Sequence, residues 1–395
     1  MERVRFGVIG MGNMGTYHCN YLDALPGARL AAVCESDVAK LDAAAEKFPE
    51  AEKFQHWQEM LASKTIDAVL IATPHYQHPD IAVAAFDHGL HVLCEKPAAV
   101  TVKEARRMND AAAKHPELKF AMNFQMRANP VLRKLRELIH GGDLGEIFRI
   151  TWIVTTWFRT NAYYASGGWR ATWAGEGGGV LINQCPHNLD QLHWLTGMMP
   201  RRITAVAHIG KTHPIEVEDE VSAIMEYDNG ATGHFITTTG EAPGTDRLEI
   251  AGDRGRTVAE GGKLLFRMNR QGVRDFRENS KQSFAIPEVW DVDVPAHKAD
   301  YSDNTKAMTQ NFVNAVLKDE PLIAPGSEGA KGLEIGNAML MAGLTREPVE
   351  LPLDGDAFES FLAELTKKYG GRKQLQPAGG GGAGTDMSAS FGRKV

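Results

Sequence analysis

The sequence predicts a two-domain α/β protein, in which an N-terminal doubly wound parallel sheet precedes a C-terminal α+β domain with an open, mostly antiparallel sheet. Three observations support this fold class. The chain of 395 residues is longer than one compact core usually holds. Short apolar runs alternate with longer amphipathic runs over the first 125 residues. After about Asn129 the strand-like segments are longer, and polar and apolar residues alternate within them.

The N-terminal apolar runs are continuous and rich in β-branched residues, as strands buried on both faces should be. They read VRFGVIG, LAAVCE, DAVLIAT, HVLCEKP and KFAMNF. Between them lie helical patterns that include DVAKLDAAAEKF, PDIAVAAFDHG and TVKEARRMNDAAAKH. In the last pattern, Thr101 precedes Glu104 by three residues, the spacing of a capping box. Strands and helices that alternate in this way predict right-handed crossovers and a parallel sheet.

The C-terminal part begins with a predicted helix from about Pro130 to His140, which Gly141 and Gly142 would end. The strand-like runs that follow are EIFRITWIVTTWF, RITAVAHIG, VSAIMEYD, GATGHFITTT and RLEIAG. An Asn-Gly pair in EYDNGATGHF predicts a tight hairpin. Further helices are predicted around residues 187–196, 304–318 and 327–345. We place the two domains at residues 1–125 and 126–376, and we expect the glycine-rich residues 377–395 to be disordered.

Composition and charge exclude several classes of function. The net charge of −7 provides neither a basic surface for nucleic acid nor a polybasic membrane anchor. No apolar run approaches the roughly 18 residues that span a bilayer, and MERVRFGVIG lacks the features of a signal peptide. The four cysteines (Cys19, Cys34, Cys94 and Cys185) form no C-x-x-C pair, which argues against disulfides and structural zinc. We therefore expect a cytoplasmic protein.

The stretch GVIGMGNMGTYH has the G-x-G-x-x-G spacing, between a predicted strand and a predicted helix. Gly10 would allow a tight turn, Gly12 the approach of the backbone to a pyrophosphate, and Gly15 close packing of helix and strand. This context predicts a Rossmann-type dinucleotide site. The alternative is a glycine-rich turn that binds nothing.

Glu35 ends the second predicted strand, where a carboxylate can accept hydrogen bonds from a ribose diol. It would repel a 2′-phosphate, no arginine follows at the next two positions, and Asp37 adds negative charge. The sequence therefore favours NAD over NADP. A solvated acid at the end of a strand is the alternative interpretation.

The stretch HVLCEKPAA sets Glu95, Lys96 and Pro97 at the end of another buried strand. Ligands bind outside the carboxyl ends of parallel strands, so Lys96 should enter the cofactor cleft. Apolar walls and a positive nicotinamide would lower its pKa toward a value useful for proton transfer, whereas Glu95 would raise it. Taken alone, the tripeptide would be an ordinary surface lysine after a strand.

Three stretches together resemble the Gfo/Idh/MocA oxidoreductases. They are GVIGMGNMG, ATPHYQHPDIAVAAFDHGLHVLCEKPAA and WRATWAGEGGGVLINQCPHNLD, and the resemblance extends to about residue 370. It implies a Rossmann domain, a second domain with an open sheet, and bound NAD(H) or NADP(H). It also implies sugar or cyclitol substrates, and homodimers or homotetramers built through the C-terminal sheet.

The family motif has three glycines followed by Asp-x-Gly-x-His-x-x-Asp. Gly177–Gly179, His187 and Asp190 match it, whereas Asn183 replaces the first aspartate and Cys185 the glycine. The resemblance makes Lys96 and His187 the proton-handling pair. An amide cannot titrate, so we assign Asn183 to holding a substrate hydroxyl or orienting Lys96, and His187 becomes the preferred base.

A continuous helix over residues 183–196 would place Asn183 and His187 on one face. Asp190 would then be able to hydrogen-bond His187, and we interpret His193 as structural. A core histidine satisfied by neighbouring groups is the alternative for His187.

The remaining site residues follow from the resemblance and from side-chain chemistry. The predicted cofactor contacts are Gly10, Gly12, Asn13, Met14, Gly15, Glu35, Thr73, Pro74, His78, Glu95 and Lys96. The predicted substrate contacts are Asn123, Arg127, Trp169, Arg170, Asn183 and His187. Aromatic faces suit a pyranose and arginine offers a fork of donors. Trp157, Tyr163 and Tyr164 either line the same cleft or pack in the sheet.

His75 and His78 resemble a metal pair, but the sequence offers no third or fourth ligand, and we predict no metal. The sequence thus predicts an NAD-dependent oxidoreductase that transfers hydride between a secondary alcohol of a sugar, glycoside or cyclitol and C4 of the nicotinamide. One alternative is an enzyme that retains NAD, oxidises its substrate transiently and so cleaves or isomerises a glycoside. The other is a non-catalytic sensor of NAD and sugar.

Overall fold

The computed structural model describes residues 2–295 and 301–375. Its first sheet is formed by β1 (Val4–Ile9), β2 (Ala28–Cys34), β3 (Glu52–Phe54), β4 (Ala68–Ile71), β5 (His91–Cys94) and β6 (Phe120–Met122). The strand order is β3-β2-β1-β4-β5-β6, and every pairing is parallel. The predicted doubly wound sheet is therefore confirmed. The short strand β3 was not predicted, because EKF carries no apolar run.

The crossover helices of this sheet are α1 (Asn13–Leu22), α2 (Val38–Lys47), α3 (Trp57–Ala62), α4 (His78–Asp87) and α5 (Val102–Ala113). Thr101 caps α5 as predicted, since its hydroxyl accepts the N–H of Glu104 at 3.3 Å. The carboxylate of Glu104 binds Arg107 instead. The next helix, α6 (Pro130–His140), has the predicted bounds and stops at Gly141.

The second sheet is formed by β7 (Ile147–Val154), β8 (Arg202–Ile209), β9 (Glu218–Glu226), β10 (Thr232–Thr238), β11 (Asp246–Gly252), β12 (Gly255–Glu260), β13 (Lys263–Asn269), β14 (Val289–Asp293) and β15 (Val349–Glu350). Its order is β14-β13-β12-β11-β7-β10-β9-β8-β15. Among the described strands of this sheet, only the pairing of β7 with β10 is parallel. The predicted hairpin joins β9 to β10, and Gly230 at its turn has a φ of +82°.

The remaining helices are α7 (Asn161–Ala165), α8 (Val180–Asn183), α9 (Pro186–Thr196), α10 (Val273–Asn279), α11 (Tyr301–Lys318), α12 (Gly329–Thr345) and α13 (Gly355–Tyr369). Helices α9 and α12 pack on one another, and α12 covers β8 and β9. The other face of this sheet stays open and exposes Val206, Ile224 and Ile236. The predicted open, mostly antiparallel sheet is thus confirmed.

Helix α11 covers the first sheet although it lies late in the chain. The ring of Phe312 packs on Phe6 with centroids 5.9 Å apart, and Thr309 hydrogen-bonds Tyr21 at 2.8 Å. The packing therefore crosses the boundary that we predicted at residues 125 and 126. The predicted disordered tail, residues 377–395, lies outside the described residues. Crossing a membrane would need a longer or more apolar helix than any within 2–295 and 301–375.

Candidate active site

The glycine turn between β1 and α1 has the shape that a pyrophosphate requires. Gly10 has a φ of +93°, and a Cβ there would lie 2.7 Å from the oxygen of Ala72. A Cβ at Gly15 would lie 1.8 Å from the oxygen of Gly10. A Cβ at Gly12 would meet no described atom within 4 Å, so its backbone is open to a ligand. Helix α1 begins next, with Asn13 and Met14 in a first turn free of acidic side chains.

Glu35 lies at the end of β2 and is held against this turn. Its Oε2 accepts the N–H of Met11 at 2.9 Å, and its Oε1 accepts the N–H of Asp37 at 3.1 Å. The carboxylate is only partly buried and stands next to the pyrophosphate position. The glycine turn and Glu35 together fit the pyrophosphate and ribose of NAD.

Thr73 and Pro74 follow β4, where the buried hydroxyl of Thr73 has no hydrogen-bond partner among the described residues. His78 lies beneath them with both ring nitrogens against main-chain oxygens, those of Pro97 and Thr73, each at 2.8 Å. Burial lowers the pKa of His78. Its ring therefore joins the loops after β4 and β5. Neither ring nitrogen is free, which argues against the cofactor contact that we predicted for His78.

Glu95, the first residue after β5, is buried and hydrogen-bonded on several sides. Its Oε1 accepts hydrogen bonds from His18 Nε2 at 2.7 Å and from Asn123 Nδ2 at 2.6 Å. Burial opposes its ionisation, but the hydrogen bond and charge of His18 and the amide of Asn123 outweigh it and lower the pKa of Glu95 to about 2. Its Oε2 also accepts the main-chain N–H of Lys96 at 3.2 Å, so the carboxylate holds Asn123 and the main chain at Lys96, and these partners argue against the cofactor contact that we predicted for Glu95.

Lys96 connects the first sheet to the motif of the second part. Its Nζ donates to the main-chain oxygen of Asn183 at 2.9 Å. Burial lowers the pKa of Lys96, whereas Glu95 and Glu176 act in the opposite direction. The structure thus places Lys96 against the residues that precede α9, and its predicted entry into the cofactor cleft stays a prediction.

The predicted continuous helix over residues 183–196 is wrong. Helix α8 ends at Asn183, the chain turns at Gln184 and Cys185, and α9 begins at Pro186. A proline has no N–H to donate and its ring disfavours a helical preceding residue, so it starts a new helix here.

His187, in the first turn of α9, contacts Gln125 rather than Asp190. The Nε2 of His187 lies 2.6 Å from Nε2 of Gln125, an amide nitrogen that donates. The neutral ring therefore carries its proton on Nδ1, which has no hydrogen-bond partner among the described residues. Burial, followed by the charge of Lys96, lowers the pKa of His187 to about 3. The ring is thus uncharged and available to a ligand through Nδ1.

The predicted bond between Asp190 and His187 is wrong because Asp190 pairs with Arg127. The guanidinium donates to Oδ2 at 2.9 Å and to Oδ1 at 2.6 Å, and it also binds Glu328. Arg127 is 1% exposed, and a guanidinium so buried needs these partners. Its donors are therefore committed to protein, which argues against the predicted substrate contact. The Nε2 atom of His193 lies 3.4 Å from Asp190, next to this pair.

Asn183 has a carboxylate partner, Glu176, that the sequence prediction missed. Its Nδ2 donates to Glu176 Oε1, while its Oδ1 accepts from the hydroxyl of Tyr163 at 3.3 Å and from Gln184 at 3.2 Å. Burial raises the pKa of Glu176, and nearby Arg170 opposes this. Glu176 directly precedes the three glycines of the motif, and this position was the only feature of the sequence that could have indicated it. Tyr163, left open from the sequence, lies in the site.

The loop before the glycines supplies Trp169 and Arg170. The guanidinium of Arg170 lies 4.9 Å from the Trp169 ring centre and donates to Tyr163 at 2.6 Å. The ring of His75 lies 5.9 Å from that of Trp169. The loop is fastened by Lys373, whose Nζ donates to the oxygens of Gly167 and Arg170 at 2.9 and 2.7 Å. The structure therefore brings both predicted residues to the Asn183 side of the cleft.

The sequence left the place of Tyr164 open and gave no indication of Gln125. Tyr164 is buried and binds Thr239 at 2.8 Å, so it packs in the fold. Gln125, in the stretch KFAMNFQMR, was missed because a glutamine after a strand has no distinguishing pattern. In the ranges 2–295 and 301–375, no three His, Cys, Asp or Glu side chains are grouped to hold a metal ion. All four cysteines are buried and unpaired by disulfides.

Two family profiles match the chain. One, described as an oxidoreductase family with an NAD-binding Rossmann fold, matches residues 4–124. The other, the Gfo/Idh/MocA C-terminal domain, matches residues 132–258. Both matches agree with the parallel first sheet and with the sheet that begins at β7.

Individual proteins are similar over much of the chain. Inositol 2-dehydrogenase of Corynebacterium glutamicum is 29% identical over 58% of this chain, and the match spans 65% of that enzyme's length, just under two thirds. D-glucoside 3-dehydrogenase of Escherichia coli is 31% identical over 58% of this chain and 68% of its own. The WlbA dehydrogenase of Chromobacterium violaceum, solved with NADH and UDP-GlcNAcA, is 26% identical with a TM-score of 0.75. That match covers 90% of this chain and 97% of WlbA.

Proposed function

The chain belongs to the Gfo/Idh/MocA oxidoreductase family, and we propose that it is an NAD-dependent dehydrogenase acting on a secondary alcohol of a sugar, glycoside or cyclitol. The observation that carries this proposal is the hydrogen bond from Lys96 to the main chain of Asn183, which joins the nucleotide half to a cluster of polar side chains. The inositol and glucoside dehydrogenases similar to this chain support the substrate class.

NAD, when bound, supplies the acceptor for the hydride. The glycine turn would hold its pyrophosphate and Glu35 its adenosine ribose, as the open backbone at Gly12 and the bond from Met11 to Glu35 support. The 2′-phosphate of NADP would meet the negative charge of Glu35, so we propose NAD as the cofactor.

Lys96 is the better base of the proton-handling pair. The pKa of about 3 makes His187 a weak proton acceptor, whereas burial lowers the pKa of Lys96 toward the range in which a neutral amine can act. The carbinol C–H bond would break as hydride leaves, while the hydroxyl proton passes to Nζ of Lys96 and a carbonyl remains. This reverses the preference for His187 that the sequence had suggested.

His187 would then act as a donor. Its Nδ1–H, oriented by Gln125, can stabilise negative charge that develops on the substrate oxygen. Oδ1 of Asn183 accepts from Tyr163 at 3.3 Å and from Gln184 at 3.2 Å, and it would exchange one of these long bonds for a substrate hydroxyl. Trp169 and Arg170 would flank the sugar ring.

A turnover screen tests this proposal. The purified protein is incubated with sugars, glycosides and cyclitols in the presence of NAD or NADP, and reduced cofactor is followed by absorbance. Formation of NADH with one of these alcohols, and weaker reaction with NADP, is expected. Glycoside cleavage without net NADH would replace the proposal by transient oxidation. Binding of NAD and sugar without any product would replace it by a sensor.

We also propose a homodimer or homotetramer formed through the open face of the second sheet. Val206, Ile224 and Ile236 project from adjacent strands of that face and are exposed, as apolar side chains at an interface would be in an isolated chain. Light scattering of the purified protein tests this: a mass of two or four chains is expected, and a monomer would contradict it.

A further inference from the structure

Glu176 is a buried carboxylate whose two oxygens serve different groups. Oε2 accepts the N–H of Ala171 at 2.6 Å, and Oε1 accepts from Nδ2 of Asn183. The side chain is 2% exposed, so water cannot replace either bond. Both the loop of Trp169 and the amide of Asn183 therefore depend on one carboxylate.

This contact fixes which end of the Asn183 amide faces the site. A carboxylate accepts but does not donate, so the amide nitrogen must face Glu176. Oδ1 is then held toward the hydroxyl of Tyr163, on the side where Arg170 also binds Tyr163. Because Oδ1 also accepts from Gln184 at 3.2 Å, a substrate hydroxyl would take the place of one of these two long bonds, and the amide cannot reverse without placing two oxygens together.

Glu176 also supplies negative charge where cations converge. Arg170 Nη1 lies 3.7 Å from Oε1, and Lys96 lies close enough to interact with the carboxylate electrostatically. Lys373, which binds the same loop, adds a third positive group. The neutral amide at position 183 cannot balance these charges.

We propose that Glu176 is a positioning residue for hydride transfer, which orients the Asn183 amide toward the substrate hydroxyl and balances the positive charge of Arg170 and the charge that Lys96 acquires when it takes the substrate proton. The inference rests on the proposed function. Glu176 and Asn183 would act as a pair, in which Glu176 supplies the negative charge and Asn183 supplies the amide. Exchanging charge and amide between the two positions should then preserve the arrangement.

Three variants test this exchange. In Glu176→Gln, one amide oxygen cannot serve both Ala171 and Asn183, and an amide nitrogen faces a donor. In Asn183→Asp, two carboxylates face each other. In the double variant Glu176→Gln/Asn183→Asp, the new amide at position 176 donates to the new carboxylate at position 183, while its oxygen still accepts from Ala171. Each single variant is expected to lose about 10- to 100-fold in kcat, as small displacements at a reacting centre do, and the double variant to regain most of that loss.

Glu216→Gln is the matched control. Glu216 is similarly buried and accepts the N–H of Trp173 in the same loop at 3.0 Å, but no hydrogen bond joins it to Asn183 in the described part of the chain. We expect this variant to change kcat by no more than about 3-fold, as loss of one ordinary hydrogen bond would. If Glu216→Gln lowers kcat as much as Glu176→Gln does, the role of Glu176 is structural and the proposal fails.

A second readout needs neither cofactor nor substrate. Thermal unfolding midpoints of the wild type, the two single variants and the double variant form a cycle that measures the coupling between positions 176 and 183. Both single variants should unfold at lower temperature and the double variant should recover. Additive midpoints would overturn the contact itself, and coupled midpoints without recovery of kcat would overturn the positioning role. A wild type that oxidises no sugar while its midpoints are coupled would instead refute the proposed function.

Discussion

Lys96 donates to the main-chain oxygen of Asn183 and not to its side chain, at a distance of 2.9 Å. The contact between the end of β5 and the end of α8 therefore persists whatever side chain stands at position 183. This leaves the amide free to pair with Glu176 on one side and with Tyr163 on the other. The replacement of a carboxylate by an amide within the motif thus leaves the connection between the two halves intact.

Lys96→Ala should lower the oxidation rate by about 10²- to 10⁴-fold, since it removes the proposed base. NAD affinity, followed by fluorescence, should stay near that of the wild type. The exposed Lys53→Ala is the control, because its ion pair with Asp42 lies on the surface. Near-normal turnover of Lys96→Ala would show that the base lies elsewhere.

The pH profile of kcat/KM separates Lys96 from His187. Lys96 accepts a proton only when neutral, so oxidation should slow as the pH falls below its pKa, which burial lowers from the usual 10.5. His187→Ala should reduce the rate, because a hydrogen-bond donor is lost, but should keep the decrease of kcat/KM at low pH, the acidic limb of the profile. The limb should be absent from the residual activity of Lys96→Ala. A limb that disappears only in His187→Ala would identify histidine as the base.

Glu35→Gln should reduce the preference for NAD. The carboxylate can form charge-assisted hydrogen bonds to a ribose diol and repels a 2′-phosphate, and the amide does neither as strongly. The ratio of kcat/KM for NAD to that for NADP should fall about 10- to 100-fold, the value of hydrogen bonds to a charged group. Glu46→Gln, an exposed change on α2, should leave the ratio unaltered. An unchanged ratio in Glu35→Gln would disprove its role in cofactor choice.

Lys373→Met should loosen the loop of Trp169 and Arg170. It removes the donors to the oxygens of Gly167 and Arg170. The KM for the sugar should rise about 3- to 10-fold, as loss of one or two ordinary hydrogen bonds implies, with less effect on kcat. Amide hydrogen exchange within residues 167–175 should become faster, whereas the exposed Lys367→Met should change neither quantity. Unaltered exchange would show that the loop holds its shape without Lys373.

Glu218 should make stability depend on pH. Its carboxyl accepts the N–H groups of Gly179 and Leu181, yet burial outweighs them and raises its pKa from 4.5 to about 7. Between these pH values the folded state holds more protons than the unfolded state, so stability falls as the pH rises through this window. The loss is on the order of 3 kcal/mol.

Urea unfolding at several pH values within that window measures the effect. Glu218→Gln cannot titrate, so the free energy of unfolding should decline less with rising pH than in the wild type. Glu226→Gln, on the same strand but at the surface, is the control and should keep the wild-type slope. Equal slopes in Glu218→Gln and the wild type would mean that Glu218 is ionised throughout.

The fold was predictable where local signals and burial agree. Continuous apolar runs identified five of the six parallel strands, and the Asn-Gly pair located the hairpin between β9 and β10. The strand β3 was missed because EKF carries no apolar run. The strands β12 to β15 and the helix α13 were not predicted either, so four of the nine described strands of the second sheet were missed. The position of α11 on the first sheet was not predicted. It depends on packing between residues far apart in the chain, such as Phe312 on Phe6, and no local sequence pattern indicates such contacts.

The site was predictable only in part. The family resemblance indicated Lys96, Asn183 and His187 as candidates, and Lys96 and Asn183 do meet, through the main-chain oxygen of Asn183. Their partners could not be predicted, since Asp190 binds Arg127, His187 contacts Gln125 and Asn183 binds Glu176 only once the chain is folded. A regular helix was assumed across Pro186, but α8 ends at Asn183 and α9 begins at Pro186, so Asn183 and His187 lie on different helices.

Transfer of a labelled hydrogen tests the central claim most directly. The alcohol that is active in the turnover screen is prepared with deuterium on its carbinol carbon and incubated with the protein and NAD in ordinary water. We predict reduced cofactor that carries one deuterium at C4 of the nicotinamide, together with the corresponding ketone, in equal amounts. Unlabelled reduced cofactor, or loss of substrate without any reduced cofactor, would contradict direct hydride transfer as the net reaction of this protein.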